Sequence, residues 1–140
     1  MKGIRYFVLS IMVGIMFLGG SFASSIIPPS NIVAMAPITI TGTVIPANSQ
    51  VMLTFNALNY SSHLASNLQN VEFFYSNGTV IPSWLEGNAL NEQQTTNLNT
   101  ASNVIYWLRI ASPFFLPTST STNTIYLGIA AKSTNLLIIQ

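Results

Sequence analysis

Three glutamates, one histidine, two tryptophans and many serines are the side chains from which this 140-residue chain could build chemistry. Glu72 and Glu86 flank a predicted hairpin. Two carboxylates ~5–9 Å apart can hydrolyse a glycosidic bond. These two are 14 residues apart around a tight turn, so they stand at the hairpin's open end rather than in a cleft. His63 is the only histidine and there is no cysteine, so a metal site has no donor set. His63 is expected on the exposed first turn of a short helix. No Gly-x-Ser-x-Gly elbow is present to raise a nucleophilic serine. The expectation is a non-enzyme with no catalytic residue, no metal and no cofactor.

Recognition is the other chemistry open to such a chain. Trp84, Trp107, Tyr106 and Tyr126 fall on predicted strands. Facing solvent, they would give sugars an aromatic platform; in a sandwich a strand tryptophan is more often core. Arg109 is expected either to pair across strands with Glu86 or Glu72, which would fix register, or to reach solvent. Asn59-Tyr60-Ser61 and Asn77-Gly78-Thr79 are sequons in predicted loops, which makes Asn59 and Asn77 candidate glycosylation sites.

The N-terminus sets the compartment. Lys2 and Arg5 precede an uncharged apolar run of 13 residues, Tyr6 to Leu18, and then Gly19-Gly20-Ser21-Phe22-Ala23. A positive start, an apolar middle and small residues are the order of a secretory signal, and the run is short of the ~20 residues of a spanning helix. Residues 1–23 read as a signal peptide cut after Ala23. Uncut, the stretch Phe7 to Ile27 would anchor the chain in a membrane; cut after Gly3, it would form the helix of a pilin-like filament subunit. The predicted place is extracellular or at the cell surface, with membrane contact only through this segment.

Beyond residue 23 the ionisable side chains other than His63 are Arg109 and Lys132 against Glu72, Glu86 and Glu92, a net charge of −1. No basic patch exists, so nucleic acid is excluded as a partner. Other cell-envelope proteins or glycans remain. A polar surface of Asn, Gln, Ser and Thr does not titrate, which suits an acidic exterior. The 117 residues left are enough for one domain without disulfides.

Residues 24–37, punctuated by Pro28-Pro29 and Pro37, read as a linker, and residues 38–140 as the domain. Alternation in Ile38 to Ile45 places Ile38, Ile40 and Val44 on one face. Gln50 to Ala57 is a strand with Val51, Leu53 and Phe55 inward. Leu64 and Leu68, four apart behind a serine, predict a short helix over 61–68. Val71 to Tyr75 and Val80 to Glu86 are strands joined by Asn77-Gly78, a turn pair tolerant of positive φ. Pro82 marks an edge or a bulge. Residues 87–102 read as a loop around a weak strand at 94–98. Asn103 to Ile110 is apolar on both faces and central. Pro113 to Pro117 is a turn, and Thr124 to Ala131 a strand with Ile125, Leu127 and Ile129 inward. Leu136 to Ile139 is either a last strand or the sign of a chain that stops short of a domain edge. The fold class is all-β: an antiparallel sandwich or jelly roll.

The run Val71 to Glu86, a strand, an Asn-Gly hairpin and Pro82-Ser83-Trp84-Leu85-Glu86, resembles the domain of unknown function 2341 family. Val104 to Ile110 and Ser119 to Gly128 look like its following strand, its Ser/Thr spacer and its Ile-Tyr strand. The resemblance spans roughly Thr39 to Asn135. It implies an extracellular β-sandwich module of archaeal and bacterial surface proteins, with no assigned activity. Relatives commonly carry aspartates in the hairpin, where this chain has Tyr75-Ser76-Asn77-Gly78. The expected function is a structural or adhesive surface module; the alternatives are a carbohydrate-binding module or a filament subunit.

Overall fold

Residues 8–9, 16–17, 26–41, 44–88, 97–111, 114–115 and 122–137 are described by the computed structural model. Eleven short strands are assigned among them: β1 (Val8–Leu9), β2 (Met16–Phe17), β3 (Ile32–Thr41), β4 (Val44–Ile45), β5 (Ser49–Phe55), β6 (Val71–Tyr75), β7 (Val80–Ile81), β8 (Ser83–Asn88), β9 (Val104–Ile110), β10 (Phe114–Phe115) and β11 (Thr122–Ala130). They form a four-stranded sheet in the order β1-β5-β9-β8, a five-stranded sheet in the order β2-β3-β11-β6-β7, and the small pair β10-β4. Pairing is antiparallel except where β1 runs parallel to β5. The helix expected over the N-terminal run lies outside the described residues, of which only β1 and β2 are placed there.

The two larger sheets face each other, as period-two patterning requires. Val51, Leu53 and Phe55 of β5 and Val104, Tyr106, Leu108 and Ile110 of β9 are buried in one core. Ala34, Ala36, Ile38, Ile40, Val71, Phe73, Ile125, Leu127 and Ile129 enter that core from the five-stranded sheet. The outer face of this second sheet is also apolar. Ile32, Met35, Phe74, Tyr126, Ala130 and Leu136 form a smaller buried cluster there, with Ile26 packed against it.

Several sequence expectations are corrected. β3 begins at Ile32, so residues 32–37 of the supposed linker are strand. Its apolar residues serve both faces, which hides the alternation. Val44 is 48% exposed and Ile45 is the buried neighbour. Residues 61–68 form turns rather than a helix, and one turn of 3-10 helix precedes them at Ala57–Tyr60. Leu64 and Leu68 are buried nonetheless. Within the expected 113–117 turn, Phe114–Phe115 is strand β10, paired with β4, and the rest of that stretch lies outside the described residues. The weak strand at 94–98 lies outside the described residues up to 96; Leu98–Thr100 is a 3-10 turn. Through Leu137 the C-terminal stretch carries no strand.

The correction that matters for function is at Pro82. The predicted strand from Val80 to Glu86 is two strands in two sheets. β7 pairs with β6, the chain crosses at Pro82, and β8 pairs with β9. Proline has no N–H to continue a ladder. The carbonyl of Pro82 instead accepts the Arg109 N–H at 2.8 Å, which pins the crossing to β9. Among the described strands, β7 and β8 are each the last of their sheet.

Candidate functional site

The crossing at Pro82 decides which side chains meet. On β9 the even positions Val104, Tyr106, Leu108 and Ile110 point inward, so Ile105, Trp107 and Arg109 point out. On β8, Trp84 lies directly opposite Trp107. Their rings are nearly parallel, 15° apart with centroids 6.3 Å apart. Trp84 is 42% exposed, and Trp107 is half-buried. Two large aromatic rings therefore share the solvent side of the four-stranded sheet.

Polar groups converge on this pair. Between Leu85 and Gly87 the β8–β9 register shifts by one residue. Gly87 takes φ +132°, a value side chains rarely adopt, which lets the bulge form. The extra residue is Glu86, and its Oε2 accepts the indole N–H of Trp107. That bond fixes the Trp107 ring and leaves the second carboxylate oxygen as an acceptor at the edge of the face. Arg109 lies two positions along from Trp107, about 7 Å away along the strand. Met52 stands opposite Trp107 on β5 and Gln50 opposite Arg109. The result is an aromatic centre with a carboxylate at one end and a guanidinium and an amide at the other.

The other predicted site residues lie elsewhere. Tyr106 is 1% exposed, between Phe55 and Phe73 at 6.0 and 5.1 Å, and cannot reach a ligand. Tyr126 stacks on Phe74 at 5.4 Å in the outer cluster of the five-stranded sheet and is also buried. Glu72 sits on β6 and Glu86 on β8, which belong to different sheets. With Glu72 on the outer side of one layer and Glu86 on that of the other, the two carboxylates form no pair, and among the described residues Glu86 is the carboxylate on the face of Arg109. His63 is half-buried in the turns, and its carbonyl accepts the Asn70 amide at 2.9 Å. Among the described residues no group of three or more His, Cys, Asp or Glu could hold a metal ion. Asn59 and Asn77 are both exposed. Asn59 is in the 3-10 turn; the Asn77 Oδ1 accepts the Thr79 N–H at 3.0 Å across the hairpin.

Sequence reasoning missed Gln50 and Met52, although the alternation that turns Val51, Leu53 and Phe55 inward also turns these two out. It also missed Asn70, which is fully buried. A lone asparagine among many gives no signal.

No family model matches the chain, and no curated protein or solved structure matches it either.

Glu72 is a separate matter. It is 5% exposed, on the same outer face as Phe74 and opposite Gly128. Burial raises its carboxyl above the ordinary value of 4.5, because the charged form loses its water. The native state therefore holds the proton more tightly than the unfolded chain does. The associated stability is fully present below 4.5 and is lost as pH rises through the raised native value. Glu72→Gln is expected to stabilise the protein at pH 7 and to change little at pH 3. Urea midpoints of both proteins at the two pH values check this; an equal difference at both would refute it.

Proposed function

We propose that the chain is an exported, non-enzymatic β-sandwich that works at the cell surface as an adhesive module, and that its adhesive surface binds carbohydrate. The observation that carries this is the stacked pair of exposed Trp84 and half-buried Trp107, the latter held by Glu86, on the outer side of the four-stranded sheet. The C–H edges of a sugar ring carry slight positive charge and lie well on the electron-rich face of an indole. The hydroxyls then need acceptors and donors around the ring, and Glu86, Arg109 and Gln50 supply them. A large aromatic left in water on a sheet face marks a binding surface more than a core.

The resemblance to the domain of unknown function 2341 family belongs to this proposal, as does export through Tyr6 to Leu18. Separation of Glu72 from Glu86 supports a binding role over hydrolysis. N-terminal mass mapping of the protein from its cell envelope tests export: a start near Ser24 supports a cleaved signal, and retention of residues 4–23 supports the anchored or filament reading.

The functional test is a glycan array followed by titration. Trp84→Ala is expected to weaken the best ligand at least about tenfold, or ~1.4 kcal/mol. The fold should be kept, with stability lowered by no more than about 1 kcal/mol, the worth of a cross-strand aromatic pair. Absence of any glycan ligand, or equal binding by the variant, would overturn the carbohydrate reading.

A further inference from the structure

The fold presents the two sequons of the chain very differently. In Asn59-Tyr60-Ser61 the first residue is exposed, but Tyr60 is 2% exposed and its ring packs on Phe55 in the core, centroids 6.4 Å apart. The Ser61 N–H donates to the Leu58 carbonyl at 3.3 Å, so this triplet is wound into the 3-10 turn with its middle residue anchored. In Asn77-Gly78-Thr79, at the tip of the β6–β7 hairpin, both Asn77 and Thr79 are exposed. The tip is held by its backbone alone. The Gly78 N–H donates to the Tyr75 carbonyl at 2.8 Å, and the Tyr75 N–H to the Thr79 carbonyl at 2.9 Å. Gly78 has φ +87°, and a Cβ there would stand 2.6 Å from the Ile27 carbonyl oxygen, so the middle position has no side chain to bury. The Asn77 Oδ1 accepts the Thr79 N–H at 3.0 Å, while its Nδ2 has no hydrogen-bond partner among the described residues.

We infer that Asn77 carries an N-linked glycan and Asn59 does not, the sugar being added to the folded chain from a lipid-phosphate-linked oligosaccharide. This rests on the export reading and is independent of the carbohydrate-binding one. In the reaction the Nδ2 of Asn77 attacks the anomeric carbon. The bond from nitrogen to that carbon forms as the bond from the carbon to the phosphate oxygen breaks. The lipid phosphate leaves with the electron pair, and the proton on the nitrogen passes to a base of the transferase. An amide nitrogen is a weak nucleophile, because its lone pair is shared with its oxygen. The Thr79 N–H on Oδ1 stabilises the negative charge that this oxygen takes up as the proton leaves. The hydroxyl two residues on completes the acceptor signal, and at Thr79 it is open to the enzyme. At Asn59 the transferase would have to draw Tyr60 out of the core to seat the triplet. A bulky, hydrated glycan also suits an exposed hairpin tip.

The test is intact-mass measurement and peptide mapping of the protein recovered from its own cell envelope, beside Asn77→Asp, Asn59→Asp and Thr79→Ser made in the same cells. Asn77→Asp keeps an oxygen for the Thr79 N–H, so the hairpin should fold, but it has no nitrogen to accept a sugar. The unaltered chain is expected to exceed its polypeptide mass by one oligosaccharide, mapped to the peptide that holds Asn77. Asn77→Asp should lose the whole increment, Asn59→Asp should keep it, and Thr79→Ser, which keeps the hydroxyl, should keep it as well. A bare polypeptide mass in envelope protein would overturn the inference and leave export standing. Recovery of the chain from the cytosol alone would overturn the export reading and this inference with it. A glycan found on Asn59 would overturn the selection by fold, since Tyr60 would then have been free when the sugar arrived.

Discussion

Asn70→Ala is expected to cost about 3–5 kcal/mol of stability, a large share of the ~5–15 kcal/mol of an ordinary domain. Asn70 is fully buried beside β6. Its Oδ1 accepts the Ala65 N–H at 2.8 Å. Its Nδ2 donates to the carbonyls of His63 at 2.9 Å and Ala130 at 2.7 Å. Its own carbonyl accepts the Ala130 N–H at 2.9 Å. One side chain thus replaces the backbone ladder that the 61–68 turns lack and ties them to the end of β11. Alanine leaves one N–H and two carbonyls in the interior without these partners, at about 1–3 kcal/mol for each group that stays unsatisfied. Asn70→Asp should be comparably damaging, because a carboxylate keeps the acceptor, loses both donors and faces two carbonyl oxygens. Urea unfolding followed by circular dichroism measures the effect. A loss under about 1 kcal/mol would mean that water fills the gap and that the turns need no such tie.

This network explains why the predicted helix at 61–68 is absent. Leu64 and Leu68 satisfy a helical period, yet their burial needs only that both reach the core, which turns held by Asn70 achieve. Local spacing cannot distinguish the two, since the deciding hydrogen bonds go to β11, 60 residues away. The elements that were legible are apolar runs bounded by turn residues, with clean alternation on β5 and β11. β6, β9 and β11 fall within two residues of their predicted bounds, with the predicted inward sets on β5 and β11, because a strand between a core and another surface has one workable parity. The sheet change at Pro82 was not legible: Val80 to Glu86 reads as one strand, and only the partners show where it splits. The tryptophans show how residue type and position compete. Type places Trp107 in the core. Parity places it with Arg109 on the face opposite Tyr106, and parity prevails because the whole strand must turn as a unit. The same parity sends Tyr106, a residue with a polar end, into the interior.

Phe73→Ala is expected to cost about 3–5 kcal/mol, the usual range for emptying a buried aromatic site. Phe73 is fully buried, between Ile81 and Leu127 within its own sheet. Its ring meets Tyr106 of the other sheet edge-on, 5.1 Å away at 69°. It is therefore a contact between layers, and its loss opens a cavity that neither rigid sheet can close. Tyr106→Phe should go the other way. The Tyr106 hydroxyl is buried with no hydrogen-bond partner among the described residues. Burial pushes its pKa far up, in keeping with a group cut off from water. Removing the hydroxyl keeps the ring contacts and relieves the desolvation, so stability should rise, by about 1 kcal/mol if the group is unsatisfied in solution. The two changes should add within about 0.5 kcal/mol, because Phe73 packs on the ring and not on the oxygen. Urea midpoints of the three variants test the sandwich without any ligand. Tyr106→Phe losing more than about 1 kcal/mol would reveal a partner for the oxygen, and a Phe73→Ala loss below about 1 kcal/mol would mean that the two sheets do not meet at this point.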